Sequence, residues 1–262
     1  MRLNDYLARV GVAPPLKCDV GTLRRVHRAH REAFLFENLS IQTGGTVSLE
    51  LQDLERKFLD TNRGGYCFEH NTLFAAALAD LGFSSTALLG RVRRGPPIQW
   101  GRTHMVLRVP IDGEVWLADV GFGAQSLLEP IPLREGATAQ QLGLIYVLRR
   151  ENQMWVLSTR EAYGTVDLYE FTEDPQTPMD VEIANHYTST HPASVFRRTL
   201  TIQRIAHDER IALRGDTLVR SRDGCTFEEP IDRARLQQVV RDVFGIELPQ
   251  GPFVYETTAA LT

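Results

Sequence analysis

The hydrophobic period of this chain changes once, near Ser84, and the change constrains its architecture more than any other feature. Before it, apolar residues recur at helical spacing: Leu3, Tyr6, Leu7 and Val10, then Leu23, Val26 and His30, then Leu51, Leu54 and Phe58. A fourth stripe, Phe74, Ala77, Leu78 and Leu81, ends at Gly82 in a helix-stop position. Residues 1–83 are therefore expected to form a helical bundle. From Ser84 the period is that of strands, in STALLGRV, then HMVLRVPI and EVWLADVG joined by Asp112-Gly113, then GLIYVLRR and QMWVLSTR around a polar turn. That predicts an antiparallel sheet or barrel over 84–190, with MDVEIANHYTSTHP (179–192) irregular or partly helical. FRRTLTIQRIA, RIALRGDTLVRSRDG and a last helix around Leu236, Val239, Val240 and Phe244, capped by Gly245, fill a third segment, 191–262.

Composition excludes several classes. An apolar fraction of 43% and a charged fraction of 24% are those of a soluble globular protein, and 262 residues suffice for a sizeable core. No apolar run approaches the roughly 18 residues of a membrane span, and MRLNDYLARV lacks the apolar core of a secretory signal. The chain is expected in the cytoplasm, with no membrane partner. A net charge of -4 offers polyanions no global attraction, so no nucleic-acid partner is expected. Oligomeric state is not legible. Cys18, Cys67 and Cys225 are far apart and form no CxxC, which indicates neither a disulfide framework nor a zinc knuckle. Cys18 and Cys225 read as structural.

The hairpin supplies geometry. A two-residue Asp112-Gly113 turn pairs Ile111 with Glu114, so partner numbers sum to 225 and Asp119 falls opposite Val106. His104 lies two residues from Val106, on the same face. His104 and Asp119 become diagonal neighbours about 7 to 8 Å apart in backbone, a gap their side chains can close. In NRGGYCFEHN (62–71), Gly64 and Gly65 permit a tight approach and a hinge, and Cys67 sits in the first turn of the helix that carries Phe74. Free N–H groups and the helix dipole there favour a thiolate. With His104 taking the thiol proton and Asp119 orienting the ring, the three would make a nucleophile, base and orienter. The plainer readings stand beside this one: a cysteine among aromatics fills space, a strand histidine is structural, and an aspartate at a strand end caps a turn. Three metal ligands are a further alternative, but no fourth ligand accompanies them.

RGGYCFEHN (63–71), TH (103–104) and DVGFG (119–123) resemble the three catalytic segments of the arylamine N-acetyltransferases. FENL (36–39), the GF and GRV of GFSSTALLGRV, and the series Asp180, Asn185, Ser189, Thr190, Pro192 and Phe196 extend the resemblance from Tyr6 to Leu248. It implies an α+β fold: an N-terminal helical bundle, a central antiparallel β-barrel and a C-terminal α/β lid, with a cysteine-protease-like triad of Cys67, His104 and Asp119. It implies no tightly bound cofactor and acetyl-CoA as co-substrate. Cys67 would carry the acetyl group as a thioester to an arylamine, arylhydrazine or N-hydroxyarylamine in ping-pong order. Phe36, Phe122 and Gly123 match positions lining the acceptor pocket, and Thr103 and Gly123 match positions near the CoA thiol arm.

Leu35 replaces the proline that commonly precedes FEN, and the tail after Leu248 is short; both bear on acceptor preference. Arg63 and Glu69 are expected to orient loops, Tyr66 to pack, and His70 to line the pocket one turn from Cys67. No other histidine has a partner set comparable to that of His104. Three other functions use the same residues differently. A macrolactam-closing amide synthase would take carrier-bound acyl thioesters, a thiol hydrolase would use water as acceptor, and a binding module would survive loss of Cys67.

Overall fold

The helical stripes become helices in a computed structural model that describes residues 1–93, 101–161, 164–206, 209–222, 225–250 and 252–254. Helix α1 (Leu3–Val10) buries Tyr6, Leu7 and Val10 and stops at Gly11, whose φ of 71° is left-handed. Helix α2 (Val20–Ala33) starts where Asp19 accepts a hydrogen bond from the Thr22 amide at 2.7 Å. Strand β1 (Phe36–Glu37) and helices α3 (Leu39–Gln42), α4 (Leu51–Leu59) and α5 (Cys67–Asp80) follow. Tyr6, Leu23, Val26, Phe58, Phe74 and Leu78 share one apolar core, as their spacing predicts.

Eight strands come next: β2 (Thr86–Val92), β3 (His104–Ile111), β4 (Glu114–Ala118), β5 (Ile131–Pro132), β6 (Thr138–Gln141), β7 (Leu144–Glu151), β8 (Met154–Glu161) and β9 (Gly164–Phe171). They pair antiparallel in the order β5-β4-β3-β2-β9-β8-β7-β6 and curl into a nearly closed barrel. Gln141 closes the seam: its Oε1 accepts from the amides of Leu128 (2.6 Å) and Glu129 (3.1 Å), and its Nε2 donates to the Glu129 carbonyl at 3.0 Å. Alternation sends Leu88, Val106 and Leu117 into the barrel core with Tyr146, Leu157 and Leu168, while Leu89, Met105 and Leu107 join the helical core. Because β3 is buried on both faces, its sequence is a near-continuous apolar run. The short strands β5 and β6, and β9, stand outside the runs singled out by period.

The rest of the chain forms α6 (Pro178–Thr190), α7 (Val195–Arg198), β10 (Thr201–Ala206), β11 (Glu209–Arg214), β12 (Thr217–Arg222), β13 (Cys225–Pro230) and α8 (Arg233–Phe244). Helix α8 ends at Gly245, with φ 71°, as expected. Two features differ from the sequence reading. The stretch read as irregular or partly helical is a regular helix over nearly its whole length, α6, capped by Thr177 and Asp180, whose carboxylate accepts the Thr177 amide at 2.8 Å. Its period is hidden because the inward face is Val181, Asn185, Thr188 and Ser189, while Met179 and Ile183 are exposed. The second is β1, which leaves the helical region to pair with β10, giving a five-stranded sheet in the order β1-β10-β11-β12-β13. Leu35 and Leu39 accordingly pack with Ile202, Leu213, Val240 and Phe244. Among the described residues, no helix is long and apolar enough to cross a membrane. The end of the short tail, from residue 255 on, lies outside the described residues.

Candidate functional site

Cys67 is the first residue of α5 and is buried. The helix starts there because the Tyr66 amide donates to Glu69 Oε2 at 3.1 Å, tying down the backbone just before the cysteine. Glu69 is in turn held by Lys57 Nζ at 2.7 Å, and Arg63 Nε donates to Glu37 Oε1 at 2.9 Å, so buried charges brace the loop as expected. Burial pushes both carboxyls up. At Glu37 the charges of Lys57 and Arg63 outweigh it and hold the group low, whereas Glu69, facing Lys57 but also Glu37, stays above its ordinary value. The glycines serve close packing rather than a hinge. A Cβ on Gly64 would lie 1.7 Å from the Leu35 carbonyl oxygen, and one on Gly65 2.4 Å from Glu69 Oε2.

His104 and Asp119 meet through the β3–β4 hairpin. Asp112 (φ 49°) and Gly113 (φ 82°) form the two-residue turn, and Ile111 pairs with Glu114 in the register expected. The ladder ends at Leu107 and Ala118, which leaves Asp119 one residue beyond it on the face of Leu117. There Asp119 Oδ2 accepts from His104 Nε2 at 2.8 Å. That bond places the ring proton on Nε2 and leaves Nδ1 for the Cys67 side, where the thiol interacts with the ring and also points to the Thr103 carbonyl at 3.6 Å. Burial lowers the pKa of His104, but the charge and hydrogen bond of Asp119, with the contact to Cys67, outweigh it and raise the group to about 10. Asp119 is pushed up by burial and pulled further down by His104, the Gly121 amide (2.8 Å) and Asn71 (3.2 Å).

Several contributors escaped the sequence reading. Asn71, one helical turn past Cys67, donates to the Met105 carbonyl at 2.8 Å and to Asp119 Oδ1, and accepts from the Val120 amide at 3.2 Å. The i,i+4 spacing within CFEHN was the signal that could have found it. Gly121 lets the strand end touch the helix: a Cβ there would lie 2.7 Å from Cys67 Cα. His27 does have a partner set, contrary to expectation, since its Nε2 accepts from the Asp119 amide at 3.1 Å and its Nδ1 donates to the Leu128 carbonyl at 2.9 Å. His70 is placed behind the site in the helical core. The Leu35 carbonyl accepts from its Nε2 (2.9 Å), so its Nδ1 accepts from His30 Nε2 (2.9 Å) and His30 Nδ1 from the Tyr6 hydroxyl (2.9 Å). Burial drives its pKa down to about 3, so it stays neutral. Tyr66 is buried and bonded to Asn185. Cys18 and Cys225 are exposed, with the Cys18 thiol pointing at the Gly82 carbonyl at 3.3 Å.

Cys67 and His104 open into a cavity of about 480 Å³. Phe36, Thr103, Gly121 and Phe122 line it, with Tyr187, Phe196 and Arg214 from the C-terminal part of the chain. The Phe122 ring centroid is 4.9 Å from that of His104, and that of Phe36 is 6.0 Å from that of Phe196, so the lining is rich in aromatic rings suited to a flat apolar ligand. Gly123 sits behind this wall with φ 69°, where a Cβ would come 2.4 Å from Gln203 Oε1. Among the described residues, no cluster of His, Cys, Asp and Glu side chains is arranged to hold a metal.

The N-acetyltransferase family pattern matches residues 19–253. The chain is 37% identical over 255 residues to the arylamine N-acetyltransferase of Mycolicibacterium smegmatis, covering 95% of this chain and 93% of that protein. The structure of Nocardia farcinica arylamine N-acetyltransferase superposes with a TM-score of 0.89 at 38% identity, over 95% of this chain and 90% of that one. The Mycobacterium marinum arylamine N-acetyltransferase in complex with CoA is also similar, with a TM-score of 0.88 and 33% identity over 93% and 92% of the two chains.

Proposed function

The chain belongs to the arylamine N-acetyltransferase family, and we propose that Cys67, His104 and Asp119 carry its reaction. It transfers the acetyl group of acetyl-CoA to the nitrogen of small aromatic amines, arylhydrazines or N-hydroxyarylamines. The observation that supports the site assignment most is the 2.8 Å bond between His104 Nε2 and Asp119 Oδ2, directed so that the other ring nitrogen serves a cysteine at a helix start.

His104 takes the proton from the Cys67 thiol, and the sulfur attacks the thioester carbonyl of acetyl-CoA. Backbone N–H groups in the first turn of α5 hold the oxyanion. The carbon–sulfur bond to CoA breaks, His104 returns the proton to the departing CoA thiolate, and acetyl remains on Cys67 as a thioester. An amine then attacks that carbonyl, gives a proton to His104, and leaves as the amide while Cys67 regains its thiol. Asp119 fixes the ring and offsets its charge in both halves. Phe36 and Phe122 clamp the aromatic acceptor, with Gly123 shaping the turn behind Phe122. Thr103, which lines the cavity, borders the path of the CoA thiol arm. In this reading the helical segment 1–83 carries the nucleophile, the barrel segment 84–190 the base and orienter, and 191–262 the lid. Initial rates with acetyl-CoA and aniline varied together test the order: parallel double-reciprocal lines are expected, and intersecting lines would contradict the thioester intermediate.

A further inference from the structure

Arg31 is 2% exposed, a buried guanidinium in the last turn of α2. Its hydrogen bonds go to backbone: Nη1 donates to the Val120 carbonyl at 3.1 Å and Nη2 to the Gly123 carbonyl at 2.5 Å, while Nε has no partner among the described residues. The two carbonyls bracket Gly121 and Phe122, which line the cavity. One helical turn earlier, His27 binds the Asp119 amide, and Ser126 Oγ donates to the Asp119 carbonyl at 2.7 Å. One face of α2 therefore grips the segment from Asp119 to Gly123 at three backbone points. A fixed charge in this position is costly unless it acts on something. An apolar residue would fill the same space.

The groups facing Arg31 define its electrical setting. Asp119, Tyr146 on β7 and Arg210 on β11 act on it, as it acts on His27 and His30 of α2 and His70 of α5. His104 and Tyr169 also interact with Asp119. Burial keeps the three α2 and α5 histidines neutral and raises both tyrosines, so they are uncharged at neutral pH. Burial also lowers Arg31, to about 10, which leaves it a cation. It is thus a positive charge held against the segment that begins at the orienting aspartate.

We propose that Arg31 is a positioning residue for acetyl transfer: a buried cation whose fork holds both ends of the Val120–Gly123 turn and so fixes the Phe122 wall of the acceptor pocket beside Cys67. The identity of the acceptor rests on the acetyltransferase reading, and the aromatic wall rests on geometry alone. Lysine keeps the charge but lacks the fork that spans two carbonyls.

Two readouts test it. The first is the rate at which 2-bromoacetanilide alkylates Cys67 relative to iodoacetamide at one pH, followed on the Cys67 peptide because Cys18 and Cys225 are exposed and react as well. Only the anilide uses the aromatic wall, so Arg31→Met and Arg31→Lys are each expected to lower that ratio about fivefold. The second readout is a KM-against-kcat split at the pH plateau. Arg31→Lys is expected to raise KM for aniline about tenfold with Cys67 acetylation by acetyl-CoA within about threefold of the parent. A folded Arg31→Met with an unchanged alkylation ratio overturns the proposal, as does Arg31→Lys with an unchanged KM. If Arg31→Met fails to fold, Arg31→Gln takes its place in the alkylation assay. If the parent takes no acetyl group, the functional reading has failed, and the alkylation ratio still decides this proposal.

Discussion

Asn71 Nδ2 lies 3.2 Å from Asp119 Oδ1, so the helix that begins at Cys67 is bonded to the carboxylate that orients His104. Three elements from distant regions of the chain are registered against one another through this amide, which also bonds Met105 and Val120. Replacing Asn71 by Ala leaves buried backbone groups unpaired and frees the aspartate to turn. A stability loss of about 2 to 4 kcal/mol is expected in urea denaturation, with acetylation of Cys67 slowed on the order of 100-fold. A loss of stability with the acetylation rate intact would show that the bond braces the fold only.

Gly121 sets how closely the strand end approaches Cys67. Gly121→Ala puts a Cβ 2.7 Å from Cys67 Cα and 2.6 Å from Asn71 Nδ2. Overpacking of this kind costs about 1 to 3 kcal/mol, and here the displaced atom belongs to the backbone of Cys67. The rate of Cys67 acetylation is expected to fall more than the melting temperature suggests. Equal acetylation rates in Gly121→Ala and the parent would contradict the contact.

The His104–Asp119 pair makes stability depend on pH in a defined direction. His104 is raised from 6.5 to about 10 in the folded protein, so its contribution is complete below pH 6.5 and is lost as pH rises toward 10. Asp119 is lowered, so its contribution is present above the ordinary carboxylate range and fades in acid. His104→Gln should therefore be destabilised by a few kcal/mol at about pH 6 and approach the parent near pH 10. Urea midpoints of the two proteins across that range give the test; a constant difference would mean that the proton is not held by the pair.

Lys57 stands between two buried carboxylates, 2.7 Å from Glu69 and 3.7 Å from Glu37. Lys57→Met strands Glu69 and leaves Glu37 to Arg63 alone, at an expected cost of about 3 to 5 kcal/mol. Adding Glu69→Gln should restore some of that by removing one unpaired charge, while the amide oxygen still accepts from Tyr66. If the double variant is no more stable than the single one in urea, the brace lies elsewhere.

Much of this arrangement was legible in the sequence, and for identifiable reasons. The Asp112-Gly113 turn fixes the hairpin register, and parity then brings His104 and Asp119 to one face, where their side chains meet. The four stripes of large apolar residues mark their helices because each buries one face. The full extent of helix α6 escaped because its buried face is polar, bonded to distant backbone such as the Val47 carbonyl that accepts from Asn185. The two-residue strand β1 escaped because its pairing with β10 is a long-range fact with no local pattern. Arg31 and His27 read as the polar face of an amphipathic helix. Only the packing of the Asp119–Leu128 segment and of β10 against α2 shows that this face is buried.

The most direct test of the account is the intact mass of the protein after incubation with acetyl-CoA, followed by peptide mapping and then by addition of aniline. The predicted result is one acetyl group, on Cys67, stable in buffer, discharged by the amine with formation of acetanilide, and absent in Cys67→Ala. No adduct, an adduct on another residue, or a thioester that water discharges as fast as the amine would contradict it.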